Sequence, residues 1–193
     1  MKKLIFTLLL SFNCVQASGT QKHFNPSDSG RIIQEVNILK SGRRISADLL
    51  KTLGGVLSQS IRKKGLVDSI NMCSLEAIPL TEELKKKHKL QGIQRVSEKY
   101  RNPLNAPDKL DKIAIDYLQK EKLPSYLQQR VKDGKFYYRF YQAIGVKSSC
   151  LPCHGSKDEM KTTVRKKIER IYPQDKATSY KIDDFRGVVR LEF

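Results

Sequence analysis

Between Gly30 and Ile61 the apolar residues Ile32, Ile33, Val36, Leu39, Ile45, Leu49, Leu50, Leu53, Val56, Leu57 and Ile61 recur largely at steps of three and four. That spacing predicts one long amphipathic helix, or two joined near Gly42. Gly54-Gly55 weakens it and offers a place where another backbone could approach. After Gly65, the residues Val67, Ile70, Cys73 and Ala77 share one face of a second helical stretch that ends at Pro79. Thr81 then reads as the cap of a charged helix, with Glu82-Glu83 in its first turn and lysines in its last, as the helix dipole favours.

The period shortens further along. Gln91 to Ser97 reads as a short strand, Tyr100 to Pro107 as a rigid loop and Asp108 to Lys122 as helix. Lys135 to Val146 is the clearest strand, because Phe136, Tyr137, Tyr138, Phe140 and Tyr141 favour extended backbone. Gly145 and Ser148-Ser149 break it. Met160 to Ile171 returns to a basic helix, and Val188, Val189, Leu191 and Phe193 mark a closing strand from Gly187. The expected class is α+β: long N-terminal helices leading into a small antiparallel sheet with flanking helices.

The first residues stand apart from that domain. Met1-Lys2-Lys3 is a positive start, Leu4 to Phe12 is nearly all apolar, and Val15-Gln16-Ala17 supplies small residues for cleavage. This is the layout of a secretory signal peptide over residues 1–17, which places the mature protein in the periplasm. The apolar run is about half of the ~20 residues that a spanning helix needs. Cys14 follows Phe12-Asn13, too bulky and polar for a lipid-attachment box. Residues 18–29 are polar and read as a flexible lead-in, leaving 30–193 as one domain.

Formal net charge is +17. Such a field favours anionic surfaces, such as lipid head groups or acidic proteins. Export argues against nucleic acid as the working partner, and acids interleaved among the lysines give ordinary solvated helix faces for most of them.

Cysteine usage changes the picture most. With the leader removed three cysteines remain, and two of them lie in Cys150-Leu151-Pro152-Cys153-His154. Two thiols separated by two residues and followed at once by histidine form the attachment signature of a c-type haem. The thiols add to the two vinyl groups, and His154 is then positioned as the proximal iron ligand. Haem of this kind is attached outside the cytoplasm, which agrees with the leader. A thioredoxin-like pair would want an alternating βα pattern. A zinc site would want a second paired ligand set, and only Cys73, His88 and His23 are at hand.

For the sixth ligand the candidates are Cys73, Met72, Met160, His88 and His23. His88 and Met160 sit among charges and read as exposed, and His23 belongs to the lead-in. Cys73 lies on an apolar face with Ile70 and Ala77, which suits a small buried hydrophobe and an axial thiolate equally. Arg95, Arg101 and Arg139 are candidates to pair with the haem propionates, against the plainer reading of surface arginines. No histidine–carboxylate arrangement signals distal acid–base catalysis, so enzymatic chemistry is not expected.

Several segments together resemble a family of exported haem proteins and sensor modules, the Tll-type haem domain. They are Asn71-Met72-Cys73-Ser74-Leu75-Glu76-Ala77, Arg95-Val96-Ser97, Tyr100-Arg101-Asn102-Pro103-Leu104-Asn105-Ala106-Pro107, Cys150 to Gly155, Tyr172-Pro173 with Asp175 and Ala177, and Asp184-Phe185-Arg186-Gly187. The resemblance runs from about Lys51 to Phe193. It implies a PAS-like sheet as the haem bed, a single covalent haem c, and a haem-facing position for Cys73 that supports distal ligation. Ser179 and Asp183 depart from it, standing where glycines are expected near the final hairpin, and Val96 stands where threonine is common.

The function this supports is periplasmic haem-based sensing of redox state or a diatomic gas, with electron carriage as the alternative. Since the chain reaches Phe193 without a kinase, cyclase or transmembrane region, sensing would need a redox or signalling protein partner. The long N-terminal helix could pair two copies into a homodimer or pack on its own sheet.

Overall fold

A computed structural model describes residues 26–71 and 77–193. Its first element, helix α1 (Pro26–Lys64), runs unbroken through Gly42 and Gly54-Gly55. It starts inside the expected lead-in, so residues 26–29 belong to the helix. Short helix α2 (Leu66–Ser69) and helix α3 (Ala77–Lys87) follow. Pro79 does not end a helix as expected. It stands in the first turn of α3, where a missing N–H breaks no intrahelical bond. Thr81 accordingly lies inside α3, its hydroxyl donating to the Ala77 carbonyl at 2.6 Å rather than capping.

Strand β1 (Gly92–Val96) leads through a 3₁₀ turn at Pro103–Asn105 to helix α4 (Lys109–Lys120). Asp108 caps α4 by accepting from Leu110 N and Asp111 N, and Asp111 returns the bond to Asp108 N. Strands β2 (Ser125–Lys132) and β3 (Lys135–Gly145) form a hairpin. Strand β2 carries no apolar alternation that would have marked it in advance. Helix α5 (Leu151–His154), helix α6 (Thr162–Ile171) and strand β4 (Phe185–Glu192) complete the chain.

The four strands are antiparallel in the order β1-β4-β3-β2. This is the α+β class expected, with a long N-terminal helix against an antiparallel sheet. Because side chains alternate across a strand, the two faces carry different cores. On one, Ile38, Ile45, Leu49 and Leu53 of α1 meet Ile93, Tyr138, Phe140, Val189 and Leu191. Gly42 permits this approach: a Cβ there would stand 2.5 Å from the Phe140 ring. A Cβ on Gly54 or Gly55, by contrast, would meet nothing within 4 Å among the described residues. Ile32, Ile33 and Val36 stay 48%, 62% and 56% exposed, off the sheet that buries the later turns.

On the other face Ala114, Ile115 and Leu118 of α4 pack on Val96, Tyr141 and Val188. Beside them Asp111, fully buried, pairs with Arg190 at 2.7 Å and accepts from the Tyr141 hydroxyl at 3.1 Å. Among the described residues no helix is long and apolar enough to cross a membrane.

Candidate cofactor site

Antiparallel pairing brings the last residues of β1 and β3 to either side of the first residues of β4. The Cys150-to-His154 segment starts directly after β3 and therefore sits at this end of the sheet. A cavity of about 210 Å³ opens there, lined among others by Leu50, Val96, Ile144, Cys150, His154 and Tyr172. Neither Cys150 nor Cys153 is joined in a disulfide. Cys150 packs toward Val146, Ala177 and Tyr180, whereas Cys153 packs toward Ile70, Met160, Val164, Ile168 and Tyr172. The two thiols thus lie on different sides of the short helix that ends at His154.

A second strip of chain clamps this helix. Ser179 N donates to Gly155 O at 2.8 Å and Tyr180 N to His154 O at 3.0 Å. Val146 and the Asp183–Asp184 turn exchange two backbone bonds, both 2.9 Å. Ser179 and Asp183 hold φ of 60° and 67°, so the conformation expected of glycines is present without them.

The histidine ring is fixed by one contact. Its Nδ1 lies 2.8 Å from the Ala177 carbonyl oxygen. A carbonyl can only accept, so Nδ1 carries the proton and the lone pair sits on Nε2, the form a metal ligand requires. Burial, then the guanidiniums of Arg101 and Arg186 and more weakly Arg95, hold the imidazole pKa down to about 3; the Ala177 contact works the other way. The ring also meets Tyr180 edge-on, with centroids 6.3 Å apart.

Arg95, Arg101 and Arg186 all line the cavity. Arg101 pairs with Asp175 at 3.2 Å and donates to the carbonyls of Cys153 and Ala177. Its Nε is buried and has no partner among the described residues. Arg186 donates to Ser97 Oγ at 2.9 Å and Lys99 O at 3.1 Å, and lies over the Tyr180 ring at 5.2 Å. Burial pulls the Arg186 pKa below its ordinary value, and Arg101 and Arg95 add to that against Tyr180. Together the three guanidiniums make the cavity strongly cationic, which suits an anionic occupant. A planar macrocycle carrying two carboxylates suits that charge, and Cys150 and His154 border the same cavity.

The structure thus brings Cys150, His154, Arg95 and Arg101 to one cavity, while Cys153, on the same short helix, packs among Met160, Val164 and Ile168 and does not line that cavity. It places Arg139 elsewhere: this side chain lies on the α4 face, 2.7 Å from Asp108, 3.4 Å from Asp111 and 2.9 Å from Glu192. Three carboxylates occupy it, so it is withdrawn as a propionate contact. Cys73, Met72 and His23 lie outside the described residues. Met160, expected to be exposed, is buried against Val164 and Ile168. His88 is likewise partly covered, with its Nε2 buried. Neither borders the cavity among the described residues. Arg186, Asp175 and the Ala177 carbonyl were not foreseen as site groups; only their membership of the segments that carry the family resemblance marked them.

The Tll0287-like family model matches residues 16–193. The crystal structure of the cyanobacterial heme-protein Tll0287 superposes with a TM-score of 0.58, covering 88% of this chain and 96% of that chain at 22% identity. At that identity the likeness is one of fold. No curated protein matches the chain. The chain belongs to the Tll0287-like family.

Proposed function

We propose that this member of the Tll0287-like family carries one covalent haem c and acts as a periplasmic sensor of redox state or a diatomic gas. The observation that carries the reading is the tautomer of His154. With Nδ1–H committed to the Ala177 carbonyl, Nε2 is left as the coordinating nitrogen, next in sequence to two unpaired thiols whose two-residue spacing suits vinyl addition. The related protein of known structure is described as a heme-protein, which agrees. When bound, the haem supplies an iron centre that exchanges one electron and, when ferrous, binds diatomic gases.

The chain's own contribution is preparation. Ala177 and Tyr180 orient the imidazole, and burial with the nearby guanidiniums keeps it neutral. Arg95, Arg101 and Arg186 supply the cationic rim for carboxylates, and Leu50, Val96, Ile144 and Tyr172 supply dry walls. Those walls come from α1, β1, β3 and the stretch after α6, so an altered occupant presses on several elements at once. This supports sensing over simple carriage.

The test is the absorption spectrum of protein matured with haem-attachment machinery, ferrous, with and without carbon monoxide. A Soret band that shifts with the gas supports a displaceable sixth site and sensing. An unmoved band would instead assign the chain to electron carriage with two firm ligands. Absence of a haem band, or one unaltered in His154→Ala, refutes the site.

A further inference from the structure

We propose that Arg101, braced by Asp175, sets how strongly His154 donates to its metal by sharing the Ala177 carbonyl with it; this rests on the haem reading above. One oxygen takes two donors: His154 Nδ1 at 2.8 Å and Arg101 Nη2 at 3.3 Å. The same Nη2 donates to the carbonyl of Cys153, the residue before His154. A single guanidinium corner therefore touches the backbone on both sides of the proximal ligand.

The position is built in from three directions. Asp175 pairs with Arg101 at 3.2 Å, and both side chains are nearly buried, at 8% and 12% exposure. The other oxygen of Asp175 accepts from Ala177 N at 2.8 Å, so the peptide that presents the shared carbonyl is fixed from its N–H side as well. Lys176 N donates to Tyr100 O at 2.9 Å, tying the 172–177 loop to the loop that bears Arg101. Downstream, Asn102 caps the 3₁₀ turn by accepting from Leu104 N, and Asn105 O accepts from Ser97 N at 3.0 Å, which closes that loop on itself. The Arg101-Asn102-Pro103-Leu104-Asn105 segment thereby gains a purpose: it is a rigid mount for one guanidinium.

The chemistry follows from competition. An acceptor beside a metal-ligating histidine pulls on its N–H and raises the basicity of the ligating nitrogen. A carbonyl that also serves a cation has less electron density to offer, so the N–H of His154 is pulled less. His154 then stays close to a plain neutral imidazole and stabilises ferric iron less than an unshared carbonyl would allow. Arg101 is a positioning residue, acting through Ala177 and His154.

The experiment compares wild-type, Arg101→Lys and Arg101→Gln haem-loaded protein by redox titration and by NMR of the His154 Nδ1 proton in the ferrous carbon monoxide form. Lysine keeps the charge but not the fork, so its effect isolates the shared carbonyl. On the scale of one hydrogen bond, about a fivefold factor in an equilibrium constant, Arg101→Lys should favour the ferric form, a shift of ~40 mV downward for one electron. Its Nδ1 proton should move downfield. Arg101→Gln should fall further, having lost charge too. An unchanged potential and proton shift in Arg101→Lys would overturn the proposal while leaving the haem site standing.

Should the variants not fold, wild-type protein with a ¹³C-labelled Ala177 carbonyl decides alone. Couplings across the hydrogen bonds from both His154 and Arg101 are expected, and a coupling from His154 only would refute the sharing. A wild-type protein without a haem band would sink the underlying reading and this one with it, a result distinct from either of those.

Discussion

Replacing Asp175 with asparagine changes one atom type in the middle of the clamp. Asparagine keeps an oxygen for Ala177 N, now bonded at 2.8 Å, and loses only the charge opposite Arg101. The two side chains are only 8% and 12% exposed, so water compensates poorly for the lost partner. Removing one member of a buried pair costs about 3–5 kcal/mol. Here Arg101 retains the carbonyls of Cys153 and Ala177, which places the loss near the lower end, about 3 kcal/mol. Arg95 and Arg186 line the same cavity, so an uncompensated Arg101 also meets like charge. For a domain of this size that loss lowers Tm by roughly 6–12 °C. Urea unfolding followed by circular dichroism would measure it, with the exposed pair Glu82–Lys85 as the control: Lys85→Met should stay within about 0.5 kcal/mol. A cost below about 1 kcal/mol for Asp175→Asn, with an unchanged urea slope, would show that the pair does not anchor the clamp.

Three further outcomes are expected. Gly42→Ala forces a methyl against the Phe140 ring and should cost about 1–3 kcal/mol in urea unfolding, whereas Gly54→Ala, with no described residue within 4 Å of the added methyl, should stabilise by roughly 0.5–1 kcal/mol. Ser179→Gly relieves a left-handed backbone at φ 60° and should be neutral or stabilising by up to roughly 1 kcal/mol, while Ser179→Val should destabilise, both read as shifts in Tm. Burial raises the Asp108 pKa, but the Asp111 N–H and the Arg139 guanidinium outweigh it and hold it below the ordinary 3.8. Its contribution is therefore present above the unfolded value and lost as pH falls through the folded one. Acid unfolding of Asp108→Asn should be flatter below about pH 4, and added salt should shrink the difference, because this side chain is half exposed.

What the sequence made legible follows the reach of each signal. Helical period survives along a chain, so α1, α4 and α6 could be read within a few residues. The strand β3 announced itself through its run of aromatics, and the thiol-and-histidine spacing is local by chemistry. β2 was missed because Gln128, Gln129 and Arg130 mix polar side chains into both faces. Arg139 was misassigned for a related reason. A strand puts alternate residues on opposite faces, and only the register with Glu192 shows that Arg139 turns toward α4 rather than the cavity. The Thr81 reading failed because Pro79 is permitted inside a first helical turn as well as after a last one.

The site itself shows the limit most clearly. The five-residue signature supplies two thiols and an imidazole, but it does not determine which ring nitrogen keeps the proton. That choice is made by the Ala177 carbonyl, 23 positions downstream, and the carbonyl is held in turn by Asp175 and by Arg101 from 52 positions upstream of Cys153. Neither partner has a spacing rule, because each arrives through a loop whose path depends on the sheet. The loops meet only where β1 and β4 pair, and there Gly187, at φ 143°, leaves room for the Val96 carbonyl that any side chain would strike. A motif can therefore state the chemistry, while the sheet end decides whether the histidine faces it in a usable form.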